Sequence, residues 1–171
     1  SNLTNLNENF KQIKNNINDF IGLDQFKKYK TIALTDLTVI KNKMYISYTE
    51  EVKEDCFNAA IISGNINYEK INFKKIFSDE KCFNSASAQS GGRVVEFGDN
   101  EILFSVGDYG NEALPQIKND IHGKILKINT TSGNYNIVSM GHRNPQGLYF
   151  DKENNFILET EHGPKGGDEI N

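Results

Sequence analysis

The sequence predicts an all-β fold made of repeated antiparallel strands, preceded by one helix. Two observations support this prediction. From residue 31 onward, short apolar runs alternate with turn residues, and the same pattern of runs then repeats along the chain. A length of 171 residues is also enough for a domain with a hydrophobic core, so we expect a folded chain that needs no dense set of disulfides.

The first part of the chain has a different apolar spacing from the rest. Its larger apolar residues recur at helical spacing among polar ones: Phe10, Ile13, Ile17, Phe20 and Ile21. We therefore predict an amphipathic helix that ends near Gly22. This divides the chain into a helical arm, residues 1–30, and a strand-rich part, residues 31–171.

The strand-rich part contains two sets of four strands and the start of a third. The first set is predicted at residues 33–40, 44–49, 59–63 and 71–77, with turns at 41–43 and 64–65. The second set is predicted at 93–97, 102–106, 125–129 and 135–139. The third begins with 147–150 and 156–160, and its next strand is expected to start where the sequence ends.

Four-stranded units that recur about every 45 to 55 residues are typical of β-propeller blades. The sequence supplies about two and a half such blades, whereas a closed propeller needs at least about four. We therefore expect a longer parent chain or other chains to complete the ring. Because a partial propeller leaves a strand edge unpaired, we also expect the isolated chain to self-associate.

Composition and charge exclude two classes of partner. The chain has 19 Lys and Arg residues against 23 Asp and Glu residues, with the signs interspersed, so no basic stripe is available for nucleic acid. No apolar run approaches the roughly 20 residues of a membrane span. The N-terminus also lacks the layout of a signal peptide. We expect a soluble chain with no membrane span.

The two cysteines fall on the first predicted blade. Cys56 opens its third strand and Cys82 follows its fourth. Because an antiparallel fourth strand returns to the same edge, this placement permits a disulfide, which would imply an oxidising compartment. Two unpaired thiols are the alternative.

Five motifs follow one another in the second half of the chain: GGR at 91–93, FSVGD at 104–108, GKILKI at 123–128, GHRNPQGL at 141–148 and ETEHGPKGGDEIN at 159–171. In this order and spacing they resemble the soluble aldose sugar dehydrogenase (glucose/sorbosone dehydrogenase) family. The resemblance is strong over residues 91–171 and weak, by strand pattern, over 31–80. It implies a six-bladed β-propeller, pyrroloquinoline quinone (PQQ) and calcium as cofactors, oxidation of an aldose at C1, and a periplasmic or secreted location.

The resemblance also implies which residues bind PQQ. The three carboxylates of PQQ call for planar cationic donors, and Arg143 offers a bidentate fork with the Asn144 amide beside it. His162 and Asp168 are placed near the cofactor in the same way, with Glu169 next to them. The alternative for the Arg-Asn-Pro stretch is an ordinary connection between blades.

For calcium, the resemblance points to two backbone carbonyls, those of Gly163 and Pro164. Calcium takes oxygen ligands in flexible geometry and acts as a Lewis acid. The alternative is a solvated turn, because Gly, Pro and Asp are also good loop residues.

The predicted catalytic base is where the sequence departs from the family. The family has a His four residues before the Arg of its Gly-Gly-Arg-like strand start, and counting back from Arg93 gives Gln89. An amide cannot remove a proton at neutral pH, so sugar oxidation is in doubt. Asp108, which orients that His in the family, is present. It could act as a base itself only if desolvation raises its pKa.

The remaining histidines do not replace the missing base. His122 lies at a strand start and is expected to be structural. His142 and His162 flank the two long motifs and could line the pocket, but without an identifiable third donor we expect no transition-metal site.

Three functional hypotheses remain. The first is a PQQ- and calcium-dependent aldose dehydrogenase, favoured by the retained Arg-Asn and Gly-Pro motifs. The second is a non-catalytic propeller that binds a carbohydrate or a protein partner, favoured by Gln89. The third is an assembly module whose helical arm docks a partner.

Overall fold

A computed structural model of the chain describes residues 12–28, 33–83 and 89–171. These residues form mostly antiparallel strands with few helices, which confirms the predicted all-β class. No helix in this described part is long and apolar enough to cross a membrane.

The N-terminal segment lies against the first sheet and differs from the prediction. It contains a two-residue strand, β1 (Lys14–Asn15), a single 3-10 turn (Ile17–Asp19) and a six-residue helix, α1 (Leu23–Lys28). The predicted helix ending near Gly22 is therefore wrong over residues 12–22, and Phe10 lies outside the described residues. The division of the chain into an arm and a strand-rich part stays a prediction.

Two hydrogen-bonding sites explain this difference. The Asn16 side chain accepts from the backbone N–H of Phe73 (2.7 Å) and donates to its carbonyl (3.2 Å), which holds the segment against a distant part of the chain. The Gly22 N–H donates to the side chain of Gln25 at 2.8 Å, so this glycine caps the start of α1 rather than the end of an earlier helix. The apolar residues of the segment still pack onto the core of this same chain.

The first blade contains four antiparallel strands in the spatial order β2-β3-β4-β6. Its strands are β2 (Leu34–Ile40), β3 (Lys43–Lys53), β4 (Cys56–Asn65) and β6 (Lys74–Ser78). The strand predicted at 71–77 is split, because β5 (Lys70–Ile71) pairs with β1 and only β6 pairs with β4. The turn predicted at 64–65 is also displaced, since β4 continues through both residues.

The second and third sheets confirm the predicted repeat. The second has the order β10-β9-β8-β7, and the third has the order β11-β12-β13. Their strands are β7 (Gly91–Gly98), β8 (Glu101–Val106), β9 (Lys124–Asn129), β10 (Tyr135–Met140), β11 (Pro145–Asp151), β12 (Phe156–Glu161) and β13 (Glu169–Ile170). The chain therefore contains two full blades and part of a third.

Both faces of the first blade are buried, because successive side chains of a strand point to opposite faces. Ile61 faces the second blade and packs in a cluster with Phe104 and Leu126. Its neighbour Ile62 faces the other way and packs with Ile21 of the N-terminal segment. The N-terminal segment thus covers the face that the second blade leaves free.

A disulfide closes the outer edge of the first blade. Cys56 and Cys82 are bonded, with their Cα atoms 5.2 Å apart, which confirms the prediction. Next to it, Phe57 and Phe83 exchange two backbone hydrogen bonds of 2.7 and 3.0 Å. The bond therefore fixes the segment after β6 against the start of β4.

Antiparallel order brings several strand ends together at one end of the sheets. The starts of β7, β9 and β11 and the ends of β8, β10 and β12 all lie there, joined by backbone hydrogen bonds between their loops. Gly107 permits one such close approach, because a β-carbon at this position would collide with the carbonyl of Gln89. The predicted site residues all belong to these loops.

Candidate functional site

Gln89, Asp108 and Arg143 form one hydrogen-bonded group. With its amide oriented to satisfy both neighbours, Gln89 donates to Asp108 Oδ1 at 2.8 Å and accepts from Arg143 Nη2 at 2.6 Å. The backbone is joined as well, since the Asp108 N–H donates to the Arg143 carbonyl at 2.8 Å and the Tyr109 N–H donates to the Gln89 carbonyl at 3.1 Å. Residues far apart in sequence are thereby held at one point.

Asp108 is an almost fully buried carboxylate. The N–H of Gly110 donates to its Oδ1 at 2.8 Å. Burial raises the pKa of Asp108 above its usual value, although this N–H bond and the charge of Arg143 both act to lower it. The pKa is therefore shifted in the direction that makes the carboxylate a better base.

Arg143 reaches the loop that follows β12. Its Nη1 donates to the carbonyl of His162 at 2.9 Å and to that of Gly163 at 3.3 Å. Its backbone N–H donates to Glu161 Oε2 at 2.6 Å. The guanidinium thus connects the Gln89–Asp108 pair to the Gly163 carbonyl, one of the two predicted calcium ligands.

Asn144 is buried at the start of β11 and is held by structural hydrogen bonds. Its Oδ1 accepts from the N–H of Gly91 at 3.2 Å, and its own N–H donates to Glu161 Oε2 at 3.3 Å. These bonds join β11 to β7 and to β12. A direct contact between the Asn144 amide and a cofactor stays a prediction.

The loop after β12 carries the other predicted ligands. The N–H of Gly163 donates to Asp168 Oδ1 at 3.2 Å, and His162 Nδ1 lies 3.5 Å from Asp168 Oδ2. The carbonyl of Pro164 accepts from the N–H of Gly167 at 3.1 Å. A cavity of about 390 Å³ lies beside this loop and is lined by Gln146, Thr160, Glu161, His162, Asp168, Glu169 and Ile170.

His122 lies in the protein interior, away from solvent. Its Nδ1 pairs with Asp120 Oδ1 at 2.6 Å and its Nε2 with Asn58 Oδ1 at 3.1 Å. Burial lowers its pKa, whereas the neighbouring Asp120 acts to raise it. The ring ties the loop before β9 to the first blade, as expected for a structural residue.

A buried group around His142 was not predicted from the sequence. Its Nδ1 lies 3.5 Å from Glu159 Oε2 and 3.6 Å from Glu161 Oε1. Burial raises the pKa of Glu159 to about 7 and lowers that of His142. A signal was present in the sequence, because two Glu residues at positions i and i+2 of one strand point to the same face.

Comparison with known proteins identifies the family to which the chain is similar. Residues 31–171 match the sequence profile of the family described as Glucose / Sorbosone dehydrogenase. The aldose sugar dehydrogenase YliI of Escherichia coli strain K12 is 26% identical over 145 residues, which is 75% of this chain and 39% of that protein. Quinoprotein glucose dehydrogenase B of Acinetobacter calcoaceticus is 31% identical over 117 residues, which is 51% of this chain and 24% of that protein.

Solved structures of similar fold include a glucose dehydrogenase, with a TM-score of 0.74 and 24% identity over 82% of this chain and 47% of that one. The PQQ-bound aldose sugar dehydrogenase of Streptomyces coelicolor gives a TM-score of 0.63 and 23% identity, covering 82% of this chain and 43% of that one. These likenesses confirm the β-propeller fold. The chain spans less than half the length of each of these relatives. Because the family profile matches most of its residues, the chain belongs to the glucose/sorbosone dehydrogenase family.

Proposed function

We propose that this chain contributes the PQQ- and calcium-binding part of an aldose dehydrogenase, with Gln89 weakening its proton-transfer step. The observation that carries the proposal is the position of Arg143, whose guanidinium lies 3.3 Å from the Gly163 carbonyl. A cationic fork thereby lies beside the Gly163 carbonyl, one of the two proposed calcium ligands. Family membership and the PQQ-bound relative from Streptomyces coelicolor support it.

The donor chemistry around Arg143 fits an anionic cofactor. The guanidinium has five N–H donors, and its neighbours in the described part of the chain account for only part of this capacity. Asp108 is the neighbouring acid, and its Oδ1 already accepts hydrogen bonds from the Gln89 amide and the Gly110 N–H. Arg143 can therefore bind a carboxylate of PQQ through its remaining donors.

The loop after β12 fits calcium. The carbonyls of Gly163 and Pro164 each accept one hydrogen bond from the protein, and a carbonyl oxygen has two lone pairs. Asp168 adds a carboxylate in the same loop. Calcium takes about six to eight oxygen ligands, so water and the cofactor would complete its shell.

When bound, PQQ supplies the quinone that takes up the hydride from the sugar C1, and calcium supplies the Lewis acid. The protein must then hold the sugar and accept the proton of its C1 hydroxyl. Gln89 cannot accept that proton, because an amide is not basic at neutral pH. Asp108 is the carboxylate bonded to Gln89, and its raised pKa makes it the candidate acceptor of that proton. We therefore expect cofactor binding with slow oxidation.

A periplasmic or secreted location belongs to the same proposal. The Cys56–Cys82 disulfide supports it, because such bonds persist in oxidising compartments.

Titration of PQQ into the protein with calcium, followed by cofactor absorbance, tests the proposal. We expect Arg143→Ala to abolish binding and Arg93→Ala to leave it intact. Arg93 is the matched control because it lies near the start of β7 and pairs with Asp36 of β2. Equal binding by the Arg143→Ala variant would overturn the proposal, and so would a complete absence of PQQ binding.

A non-catalytic, carbohydrate-binding propeller is the second candidate function. It is favoured by the replacement at Gln89, whose amide is already engaged by Asp108 and Arg143. Sugar binding without PQQ binding, with no dye reduction, would favour this function. Dye reduction that depends on sugar and PQQ would exclude it.

A further inference from the structure

The buried group of His142, Glu159 and Glu161 lies between the connection from β10 to β11 and strand β12. All three side chains are at least nine-tenths buried. Each offers one ligand atom, and these atoms lie within 4.8 Å of one another. Ordinary ion pairs rarely gather two carboxylates around one imidazole in the interior, because the second negative charge is costly to bury.

Hydrogen bonding fixes the orientation of the imidazole. His142 Nε2 lies 2.8 Å from Ser139 Oγ. If Nε2 carries the proton and donates it to Ser139, Nδ1 presents a lone pair to the two carboxylates. Metal-binding histidines are commonly held in this way, with the second ring nitrogen hydrogen-bonded to a neighbouring acceptor.

The two carboxylates are only partly satisfied by the protein. Glu161 Oε2 accepts from two backbone N–H groups, which leaves Oε1 facing His142 at 3.6 Å. Glu159 Oε2 accepts from Asn171 at 3.1 Å, whereas its Oε1 is buried with no hydrogen-bond partner among the residues that the structure describes. A buried, unpartnered carboxylate oxygen is costly, and a cation would remove that cost.

The spacing of the three groups suits a metal ion. The separations of 3.5 and 3.6 Å are too long for hydrogen bonds. Ligands about 2.0 to 2.1 Å from a tetrahedral metal are about 3.3 Å from each other. Small side-chain movements would bring both carboxylates and Nδ1 to that distance.

We propose that His142, Glu159 and Glu161 bind one divalent first-row transition metal, for which Zn²⁺ is the probe. An imidazole ligand favours such ions, whereas calcium takes oxygen ligands only. Glu161 also lines the cavity beside the loop after β12, so one of the three proposed ligands borders open space. The site is separate from the predicted calcium carbonyls, and the proposal does not rest on PQQ binding.

The metal would have a structural effect on the neighbouring loop. It would join His142, which precedes Arg143, to strand β12 through two carboxylates. Arg143 would then be held more firmly at the strand ends. The proposed role is positioning, since none of these three side chains is expected to touch substrate.

Zinc binding to chelator-treated protein tests the proposal. We expect one Zn²⁺ per chain by isothermal titration calorimetry and by elemental analysis after dialysis, together with a higher melting temperature. Stoichiometric binding should be lost in both His142→Gln and Glu159→Gln. Two matched variants, His162→Gln and Glu153→Gln, should bind as the parent does, because both side chains are exposed. Cobalt substituted for zinc should give the visible absorption of a tetrahedral site.

The variant Glu159→Gln decides the outcome if His142→Gln does not fold, since glutamine has nearly the same shape and can still bond to Asn171. Near-UV circular dichroism establishes whether each variant is folded. Failure of the parent protein to retain zinc would overturn the proposal, as would binding that persists in folded Glu159→Gln. Loss of binding in His162→Gln instead would move the site to the exposed His162–Asp168 pair and would equally overturn it.

Discussion

Replacing Gln89 with histidine tests whether the missing base limits catalysis. The amide nitrogen of Gln89 lies 2.8 Å from Asp108 Oδ1, so an imidazole at this position can donate to the same carboxylate. With the Arg143 guanidinium turned to the cofactor, its other nitrogen would then accept a proton from a sugar hydroxyl. Asp108 would orient the ring and stabilise its protonated form, as carboxylates do beside catalytic histidines.

The surrounding charges determine the pKa of that imidazole. Arg143 Nη2 lies 2.6 Å from the oxygen of the Gln89 amide, on the side opposite Asp108. A unit charge about 4 Å away changes the energy of an imidazolium by about 4 kcal/mol at an effective dielectric constant of about 20. Asp108 and Arg143 have opposite signs, so their effects nearly cancel. We therefore expect a pKa near the ordinary value of about 6.5.

The expected gain in rate follows from the chemistry of general bases. A positioned base contributes about 10²- to 10⁴-fold, so Gln89→His should raise sugar-dependent dye reduction by a factor in this range. The base must be neutral to work, so the rate should rise with pH through about 6.5 and then level off. The assay uses saturating PQQ and calcium with several aldoses, in a protein that also supplies the remaining blades.

A matched variant separates basicity from shape. Gln89→Leu fills similar volume without a base, so it should not raise the rate above that of the unmodified protein. The reasoning is refuted if Gln89→His gives no increase, or if Gln89→Leu gives the same one. Robust oxidation by the unmodified protein, unaffected by changes at Gln89 or Asp108, would show that the base lies elsewhere.

Three further predictions concern stability and assembly. Replacing both Cys56 and Cys82 with serine should lower the free energy of unfolding by about 3.5 kcal/mol, which is the chain-entropy value for a separation of 26 residues. Urea unfolding measures this difference, and added reductant should destabilise only the parent protein. Lys124→Met should lower the free energy of unfolding by at least about 3 kcal/mol, because it leaves three buried carbonyls without the donor that now lies 2.8 to 3.0 Å away. The control variant Lys127→Met should leave the free energy of unfolding nearly unchanged. The isolated chain should form dimers or larger species in light scattering, since its sheets expose apolar side chains; a stable monomer at high concentration contradicts this.

The strands were predictable because their signals are local. Alternation of buried residues along β4 places Ile61 and Ile62 on opposite faces, and such alternation is visible in the sequence. The N-terminal segment was mispredicted because its partner is distant. Asn16 bonds to Phe73, 57 residues away, and that contact outweighs the helical spacing of the apolar residues around it. The spacing of apolar residues in the sequence does not indicate such a long-range pairing.

The site was predictable only in outline. The motif order places Arg143 and Gly163 at adjacent strand ends of the same sheet, and the structure brings them together. The bridge from Gln89 to Asp108 and Arg143 depends on side-chain direction, which the motif does not specify. The third donor for His142 was missed for a different reason. Glu159 and Glu161 belong to the motif that carries the family resemblance, but their i, i+2 spacing on a strand also places them on one face.

Glu161 relates the two proposed sites through its two oxygens. Oε2 accepts the backbone N–H groups of Arg143 and Asn144 at 2.6 and 3.3 Å, so it fixes the loop that carries the proposed PQQ-binding fork. Oε1 lies 3.6 Å from His142 Nδ1, so it faces the proposed metal. A metal that holds Oε1 would restrict the rotation of the whole carboxylate and thereby the loop bonded to Oε2. The two sites would then be coupled through the rigidity of one side chain, without any shared ligand.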